Sequence, residues 1–321
     1  MQQSSFRSYL SVTKPRISIL VNFVSVISFF LSLTVNQINF AHGSITEVVR
    51  FHPLGFIVLL ISGILSVAGA SAFNNYVDQD LDSVMNRTKK RPLPSGKIID
   101  SKNVLILASV LTLISLLLSW IFINPVTSFF IALGVFTYII IYTKFLKRRN
   151  SSNIVIGGFA GSCASLAGWA AIYVYSPYYN IFNFYTSITS VISTFTIMPI
   201  LITIVIFLWT PSHFWCLAIK IKEDYEKANI PMLPSNSVKT TSILIFFNTL
   251  LLVFISLLLY LFTDLEILYL IISLSAGIIM LLTNIRIIKY QSKKVAWQGY
   301  KFSSLYLVIF LIALLLDRIF I

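Results

Sequence analysis

Long apolar stretches, separated by short polar segments, repeat along most of the chain. Most of them approach the roughly 20 apolar residues that an α-helix needs to cross a bilayer. The third and fourth stretches are joined only by Asn124 and Pro125, and the ninth is short unless it continues past Asp317 and Arg318. We therefore predict nine membrane-spanning helices, at residues 17–35, 54–73, 104–123, 126–142, 154–175, 194–217, 243–262, 267–285 and 302–316.

The composition excludes an ordinary soluble protein. Of the 321 residues, 57% are hydrophobic and only 11% are charged, which is typical of a multispanning membrane protein. This length fits one helical bundle, so we expect a single transmembrane domain over residues 1–321. The two cysteines, Cys163 and Cys216, lie in apolar stretches. They indicate packing and give no disulfide framework or metal-binding spacing.

The lysines and arginines are distributed unequally between the two sides of this predicted bundle. With nine helices and the N-terminus in the cytoplasm, all 24 except Arg50 and Arg318 fall on the cytoplasmic side. The positive-inside rule supports both the helix count and the orientation. The net charge of +13 is then mainly a topology signal, and we expect a lipid bilayer and no nucleic acid as partner.

The first apolar stretch follows Arg7, Lys14 and Arg16, the charge order of a signal peptide. It is too long for one and no small-residue cleavage site follows, so we predict a retained first helix. The chain shows no transit peptide. These features favour the plasma (inner) membrane of a bacterium, with the functional site on its cytoplasmic side, over the mitochondrial inner membrane.

Two predicted helices carry residues that affect packing. Gly157 and Gly161 stand four apart in the fifth helix, and this spacing predicts close contact with a neighbouring helix. Pro199 and Pro211 fall in the sixth helix. Each removes a backbone donor, so we expect two kinks.

A polar segment directly after the second apolar stretch is the strongest candidate for chemistry. If the helix continues there, Asn74, Asp78 and Asp82 line one face with the carboxylates about 6 Å apart, while Asp80 points elsewhere. Mg²⁺ typically takes one or two protein carboxylates and completes its shell with water and phosphate oxygens. A metal-bound diphosphate would therefore fit this face. The alternative is a solvated helix end whose acids are compensated by the nearby Arg and Lys.

The loop that follows contains four basic residues within five positions, namely Arg87, Lys89, Lys90 and Arg91. Positive-inside charge explains one or two of them. So dense a cluster beside three carboxylates is more typical of a phosphate-binding site.

A second candidate group lies at the end of the sixth predicted helix. His213 is flanked there by Trp209 and Trp215, and the acidic residues Glu223 and Asp224 follow. One interpretation is an interfacial aromatic belt with one satisfied polar group. The other is a proton carrier or a haem ligand. His42 and His52 lie on the outer side of the predicted bundle, and we expect no catalytic role for them.

These motifs resemble the UbiA superfamily of intramembrane prenyltransferases. Asn74, Asp78 and Asp82, followed by the sequence Arg-Thr-Lys-Lys-Arg-Pro-Leu-Pro-Ser-Gly, look like its first signature. Three further segments resemble the branch that farnesylates haem b: Thr13-Lys14-Pro15-Arg16, Trp209-Thr-Pro-Ser-His213-Phe-Trp, and Asp224-Tyr225 with Ile230-Pro-Met-Leu-Pro234. The resemblance implies an all-α bundle of nine transmembrane helices around a central cavity.

The resemblance also implies how the site works. Asn74, Asp78 and Asp82 would hold Mg²⁺, and a second ion would lie at Glu223 and Asp224. The usual second Asp-x-x-x-Asp pattern is not kept, because Ala228 stands four residues after Asp224. Asp78, Asp82 and His213 would be catalytic. The diphosphate of farnesyl diphosphate would contact Asn74, Lys14, Arg16, Arg87, Lys89, Lys90, Arg91, Lys220 and Lys222.

The implied reaction moves a farnesyl group to the vinyl group of haem b and gives haem O. The product would pass to a haem A synthase or to terminal oxidase assembly. One alternative is a related prenyltransferase with a hydroxybenzoate, quinone or chlorin acceptor, which the segment around His213 disfavours. A transporter is the other alternative. Transporters place charged sites near the bilayer midplane, whereas nearly every charge here lies at a helix end.

Overall fold

The computed structural model describes residues 6–41, 52–172, 184–233 and 237–319, and these residues form helices joined by short turns. Arg50 and His42, predicted to lie on the outer side, fall outside the described residues, as does Pro234. The helices are α1 (Phe6–Val12), α2 (Pro15–Ala41), α3 (Pro53–Val77), α4 (Gln79–Val84), α5 (Ser101–Phe122), α6 (Pro125–Phe136), a π-helix (Thr137–Leu146), α7 (Asn153–Gly157), α8 (Phe159–Ala170), α9 (Phe184–Ser193), α10 (Ile197–Lys220), α11 (Lys222–Lys227), α12 (Val238–Phe262), α13 (Ile267–Tyr290) and α14 (Lys293–Ile319).

The prediction of nine membrane spans is confirmed. Within the described part of the chain, nine helical segments are long and apolar enough to cross a bilayer. The fourth span joins α6 to the π-helix, and the fifth joins α7 to α8. The ninth does continue past Asp317 and Arg318, because α14 ends at Ile319.

Local sequence explains where several helices begin. Asn124 accepts a hydrogen bond from the Thr127 amide at 2.8 Å, and Pro125 is the first residue of α6. Proline is favoured there because that position has no intrahelical partner for its N–H. The lack of an intrahelical partner for the first N–H groups of a helix also corrects the prediction that Pro199 kinks its helix. It is the third residue of α10, so it removes no helix hydrogen bond. Only Pro211 lies inside this helix, which is continuous through it.

Six spans form a ring. α2 packs against α3, α3 against α6, α6 against α8, α8 against α10, and α10 against α14, which returns to α2. α2 also contacts α8. α5, α12 and α13 pack on the outside of this ring. A large apolar cluster joins α2, α8, α10, α12, α13 and α14, with Trp169, Tyr269, Tyr306 and Phe310 among its buried rings. The ring leaves space at its centre.

The prediction that Gly157 and Gly161 both make a close helix contact is wrong for Gly161. A side chain at Gly157 would overlap the Tyr142 ring, but one at Gly161 would meet nothing within 4 Å, and Gly161 lines the central space. The closest approach involves Gly168, where a side chain would overlap the backbone of Ser25 in α2. Small residues therefore do bring helices together, at Gly157 as predicted and at Gly168, about two helical turns beyond Gly161.

Candidate active site

A cavity of about 570 Å³ occupies the centre of the ring. Most of its wall is apolar, with Leu20, Val21, Leu59, Val67 and Ile131 among the lining residues. One end is strongly polar. The charged and amide side chains that line the cavity are Lys14, Arg16, Asn22, Asn74, Asp82, Arg87, Arg91 and Lys147. We call the membrane side that carries Lys14, Arg91 and Lys147 the basic face.

The acidic segment lies at a short interruption between two helices. α3 ends at Val77, α4 begins at Gln79, and Asp78 stands between them with φ −93° and ψ 8°. The helical path is nearly kept, because the Asp78 amide donates to Asn74 O at 3.0 Å and the Asp82 amide to Asp78 O at 2.8 Å. Asn74 Nδ2 donates to Asp78 Oδ2 at 2.6 Å. The predicted i, i+4 pairing of these two side chains is therefore confirmed.

Basic side chains contact each member of this group. Lys147 donates to Asp78 Oδ2 at 2.5 Å, and Arg91 donates to Asp82 Oδ2 at 2.6 Å. Lys14 donates to Asn74 Oδ1 at 2.7 Å. Asp78 and Asp82 are almost completely buried. Buried carboxylates require such partners, since an unpaired charge away from water is costly.

One oxygen of this group remains without a partner. Asp78 Oδ1 is buried and makes no hydrogen bond. Hard cations such as Mg²⁺ bind oxygen ligands of this kind. Among the described residues, no group of three or more Asp, Glu, His and Cys could hold a metal ion. A cation here would rest on Asp78, Asp82, the amide oxygen of Asn74 and oxygens of a ligand.

The cationic side chains outnumber the two carboxylates, so this end of the cavity is suited to an anion. Lys14 shows most clearly how this excess of positive charge acts on a side chain. Burial, and then the nearby Arg91 and Lys147, lower the pKa of Lys14 to about 7. Its backbone has φ 49°, and this left-handed residue separates α1 from α2. An anion beside it would favour the charged form of the amine.

Only part of the basic loop reaches the cavity. Arg87 and Arg91 line it, whereas Lys89 and Lys90 are exposed and do not. Lys89 Nζ instead donates to Asn86 Oδ1 at 3.1 Å. Asp80 also points away, as predicted. It is exposed and paired with Arg148 at 2.7 Å, and that hydrogen-bonded pair lowers the pKa of Asp80.

The second acidic segment does not line the cavity with its acids. Glu223 is exposed and pairs with Lys293 at 2.6 Å. Both oxygens of Asp224 accept hydrogen bonds at 3.0 Å from the backbone of the basic loop. Of this segment, only Tyr225 lines the cavity. The structure therefore does not bring these two acids together as ligands of one ion.

The two lysines before this segment are also engaged elsewhere. Lys220 Nζ lies 3.3 Å from the centre of the Trp297 ring, a cation–π contact. Lys222 pairs with Glu226 at 3.4 Å on the surface. Neither lysine lines the cavity, in contrast to the expected phosphate contact.

Sequence reasoning missed Lys147 and two tyrosines. Lys147 belongs to a basic group that the topology rule explained completely. Tyr138 and Tyr142 line the cavity and stack with ring centres 5.8 Å apart. Both lie on the π-helix, a rare form that is frequent at functional sites. No sequence signal distinguishes it from the α-helix that we expected.

His213 lies between two aromatic rings in the cavity wall. The centre of its ring is 4.4 Å from that of Trp209 and 4.2 Å from that of Tyr300. Its Nδ1 is 2.7 Å from Ser303 Oγ, and the Ser303 hydroxyl donates to Tyr300 O at 2.8 Å. A hydroxyl has one hydrogen, so when Ser303 donates to Tyr300 O, Nδ1 carries the proton of the Ser303–His213 bond. In that tautomer of the neutral ring, Nε2 is the acceptor.

Comparison with known proteins agrees with this geometry. Residues 40–308 match the UbiA prenyltransferase family. Protoheme IX farnesyltransferase 1 of Cenarchaeum symbiosum is 39% identical, over 98% of this chain and 96% of its own length. The protoheme IX farnesyltransferase of Metallosphaera sedula is 35% identical, over 97% and 96%. Protoheme IX farnesyltransferase 1 of Pseudomonas fluorescens is also 35% identical, over 98% and 95%.

Solved structures share the fold at lower sequence identity. A digeranylgeranylglyceryl phosphate synthase superposes with a TM-score of 0.73 at 18% identity, over 98% of this chain and 99% of that one. A UbiA homologue from Archaeoglobus fulgidus bound to GPP and Mg²⁺ gives 0.60 at 15% identity, over 96% and 99%. The nine-span bundle, the cavity and the full-length sequence matches lead to one conclusion. The chain belongs to the UbiA prenyltransferase family, and it is a multi-pass membrane prenyltransferase.

Proposed function

We propose that this enzyme transfers the farnesyl group of farnesyl diphosphate to the vinyl group of haem b, giving haem O. One observation carries the proposal. A single cavity joins a cationic pocket to an apolar chamber in which a histidine lies between aromatic rings. Asp78, which keeps an unpaired buried oxygen, lies directly behind the Lys147 and Asn74 side chains that line this pocket. The three relatives reported above are all named protoheme IX farnesyltransferases, which supports this choice of substrates.

The polar end would bind the diphosphate. Asn74, Asp78 and Asp82 would hold Mg²⁺, which supplies positive charge to the leaving diphosphate. Lys14, Arg16, Arg87, Arg91 and Lys147 would contact the phosphate oxygens directly. Lys147 and Arg91 are paired with the carboxylates of Asp78 and Asp82. On binding they would exchange these partners for phosphate, so that no buried charge is left alone.

The apolar chamber would protect the allylic cation that forms when the diphosphate leaves. Such a cation reacts with any nearby water, so the wall must exclude solvent. Leu20, Val21, Leu59, Val67 and Ile131 supply apolar surface of this kind. The same surface would hold the remainder of the farnesyl chain.

His213 would act on the acceptor side. The haem vinyl carbon forms a bond with farnesyl C1 as the C–O bond to diphosphate breaks, and the positive charge moves to the adjacent vinyl carbon. A water molecule adds there and loses a proton, completing a hydroxyethylfarnesyl group. The free Nε2 of His213 could accept that proton or bind the haem iron. Trp209 and Tyr300 would pack near the macrocycle.

The distribution of basic residues supports an orientation for the enzyme. We place the basic face, and with it the diphosphate pocket, in the cytoplasm, because positive residues are retained on that side of a membrane. Farnesyl diphosphate, a charged molecule, would then enter from the cytoplasm.

The test is to incubate the purified protein with haem b, farnesyl diphosphate and Mg²⁺ and to identify the pigment by mass spectrometry. We expect a product whose mass is that of haem b plus a farnesyl group and a hydroxyl. Unmodified haem together with prenylation of an added hydroxybenzoate or quinone precursor would contradict the proposal. That result would instead assign an aromatic acceptor.

His213→Ala should lower turnover on the order of 10²-fold, the usual contribution of a general base. It should also change the Soret band of bound haem b, while farnesyl diphosphate and Mg²⁺ still bind. His52→Asn is the matched control, because His52 is a helix cap remote from the cavity and its Nδ1 accepts from the Gly55 amide at 3.4 Å. Full activity and an unchanged haem spectrum in His213→Ala would leave this histidine as part of the aromatic belt only.

A further inference from the structure

Asp224 connects two segments that are far apart in the sequence. It lies in α11, yet its carboxylate reaches the turn that follows α4. Oδ1 accepts from the Asn86 amide and Oδ2 from the Arg87 amide, each at 3.0 Å. Asp224 is 7% exposed. Two consecutive backbone N–H groups form an anion-binding concavity, so this carboxylate is satisfied by the protein itself.

The contrast with Asp78 is direct. Asp78 keeps a buried oxygen without any partner, and a bound cation would satisfy it. Asp224 has one backbone donor on each oxygen. Each of these oxygens keeps a further lone pair, but the two hydrogen bonds already satisfy the Asp224 carboxylate without a cation.

The turn held by Asp224 carries one cavity arginine, Arg87, and leads directly to a second, Arg91. Met85, Asn86, Arg87 and Thr88 form the turn, and the Thr88 amide donates to Met85 O at 3.1 Å. Arg87 lines the cavity. The Arg91 amide in turn donates to Thr88 O at 2.8 Å, and the Arg91 side chain pairs with Asp82. The position of the turn therefore determines where both guanidinium groups lie.

We propose that Asp224 is a positioning residue, which holds the turn Met85–Thr88 so that Arg87 and Arg91 face the diphosphate, and that it is not a metal ligand. This inference rests on the proposed function, since it takes a prenyl diphosphate as the ligand. It follows that Asp224 governs diphosphate affinity, whereas the metal content of the complex depends on Asp78.

The first experiment measures metal and diphosphate binding without haem. Asp224→Asn, Asp78→Asn and the unsubstituted enzyme are purified in detergent, and bound Mn²⁺ is counted by electron paramagnetic resonance with farnesyl diphosphate present. We expect Asp224→Asn to bind as many Mn²⁺ ions as the unsubstituted enzyme while its Kd for farnesyl diphosphate rises about tenfold. Asp78→Asn should bind fewer ions. A lower Mn²⁺ count in Asp224→Asn would overturn the inference.

The second experiment removes one of the same hydrogen bonds by changing its donor, the Asn86 amide. Asn86→Pro deletes one amide donor at the second position of the turn, where proline is favoured. Met85 is already extended, with φ −80° and ψ 128°, as a residue before proline should be. Asn86→Ala is the matched control, because it keeps the amide and removes only the side chain.

We expect Asn86→Pro to weaken farnesyl diphosphate binding about as much as Asp224→Asn, and Asn86→Ala to leave it unchanged. The double variant Asp224→Asn with Asn86→Pro should weaken farnesyl diphosphate binding by less than the sum of the two single effects, since both substitutions remove the same interaction. Additive effects, or unchanged binding in Asn86→Pro, would overturn the inference. If the unsubstituted enzyme failed to bind farnesyl diphosphate with Mn²⁺, the proposed function itself would be wrong.

Discussion

Asp78→Asn and Asp82→Asn should each lower kcat/KM on the order of 10³-fold or more, whereas Asp80→Asn should stay within a few-fold. An amide cannot supply the anionic oxygen that a metal ion and a developing diphosphate charge require. At position 78 the substitution also leaves the ammonium of Lys147 beside a neutral group in a buried site. Asp80 is exposed, and its carboxylate pairs with Arg148 and with backbone groups at the start of α4.

The three variants form a matched series, because each changes one carboxylate to an amide within five residues. Steady-state kinetics with farnesyl diphosphate and haem b give kcat/KM, and the yield of monodisperse protein in detergent reports folding. Equal losses at all three positions would show that the segment contributes only its total charge. A normal rate in Asp78→Asn would rule out the unpaired oxygen as a functional group.

Lys147→Met should lower kcat/KM for farnesyl diphosphate about 10²-fold, while Lys144→Met should change it less than twofold. Both lysines belong to the same basic segment on the basic face and count equally in the topology rule. Only Lys147 reaches the cavity and contacts Asp78, at 2.5 Å, whereas Lys144 is exposed. Removing one preorganised cation from a transition state that gains negative charge typically costs this much.

Methionine preserves much of the apolar stem of lysine, so the comparison isolates the ammonium group. Orientation in the membrane is checked with a reporter fused to the C-terminus, and it should be the same in both variants. Equally small changes in kcat/KM at the two positions would show that Lys147 serves only membrane topology. Equal, large effects would indicate that the segment acts through overall charge.

Features that depend on local spacing could be predicted from the amino-acid sequence alone. The length of each apolar stretch predicts the nine spans, because a bilayer of fixed thickness requires helices of that length. Asn74 and Asp78 were correctly predicted to meet, since residues four apart share one face of a helix. Asp80 was correctly excluded for the same reason. The motifs also sufficed to indicate the family.

Other features depend on how the helices pack in three dimensions, because they join residues that are distant in the chain. Lys147 and Asp78 are 69 positions apart, His213 and Ser303 are 90, and Arg87 and Asp224 are 137. Which of several similar lysines reaches the cavity depends on how helices rotate and pack, and spacing within one helix carries no such information. For the same reason Gly161 faces open space and Gly168 makes the close contact.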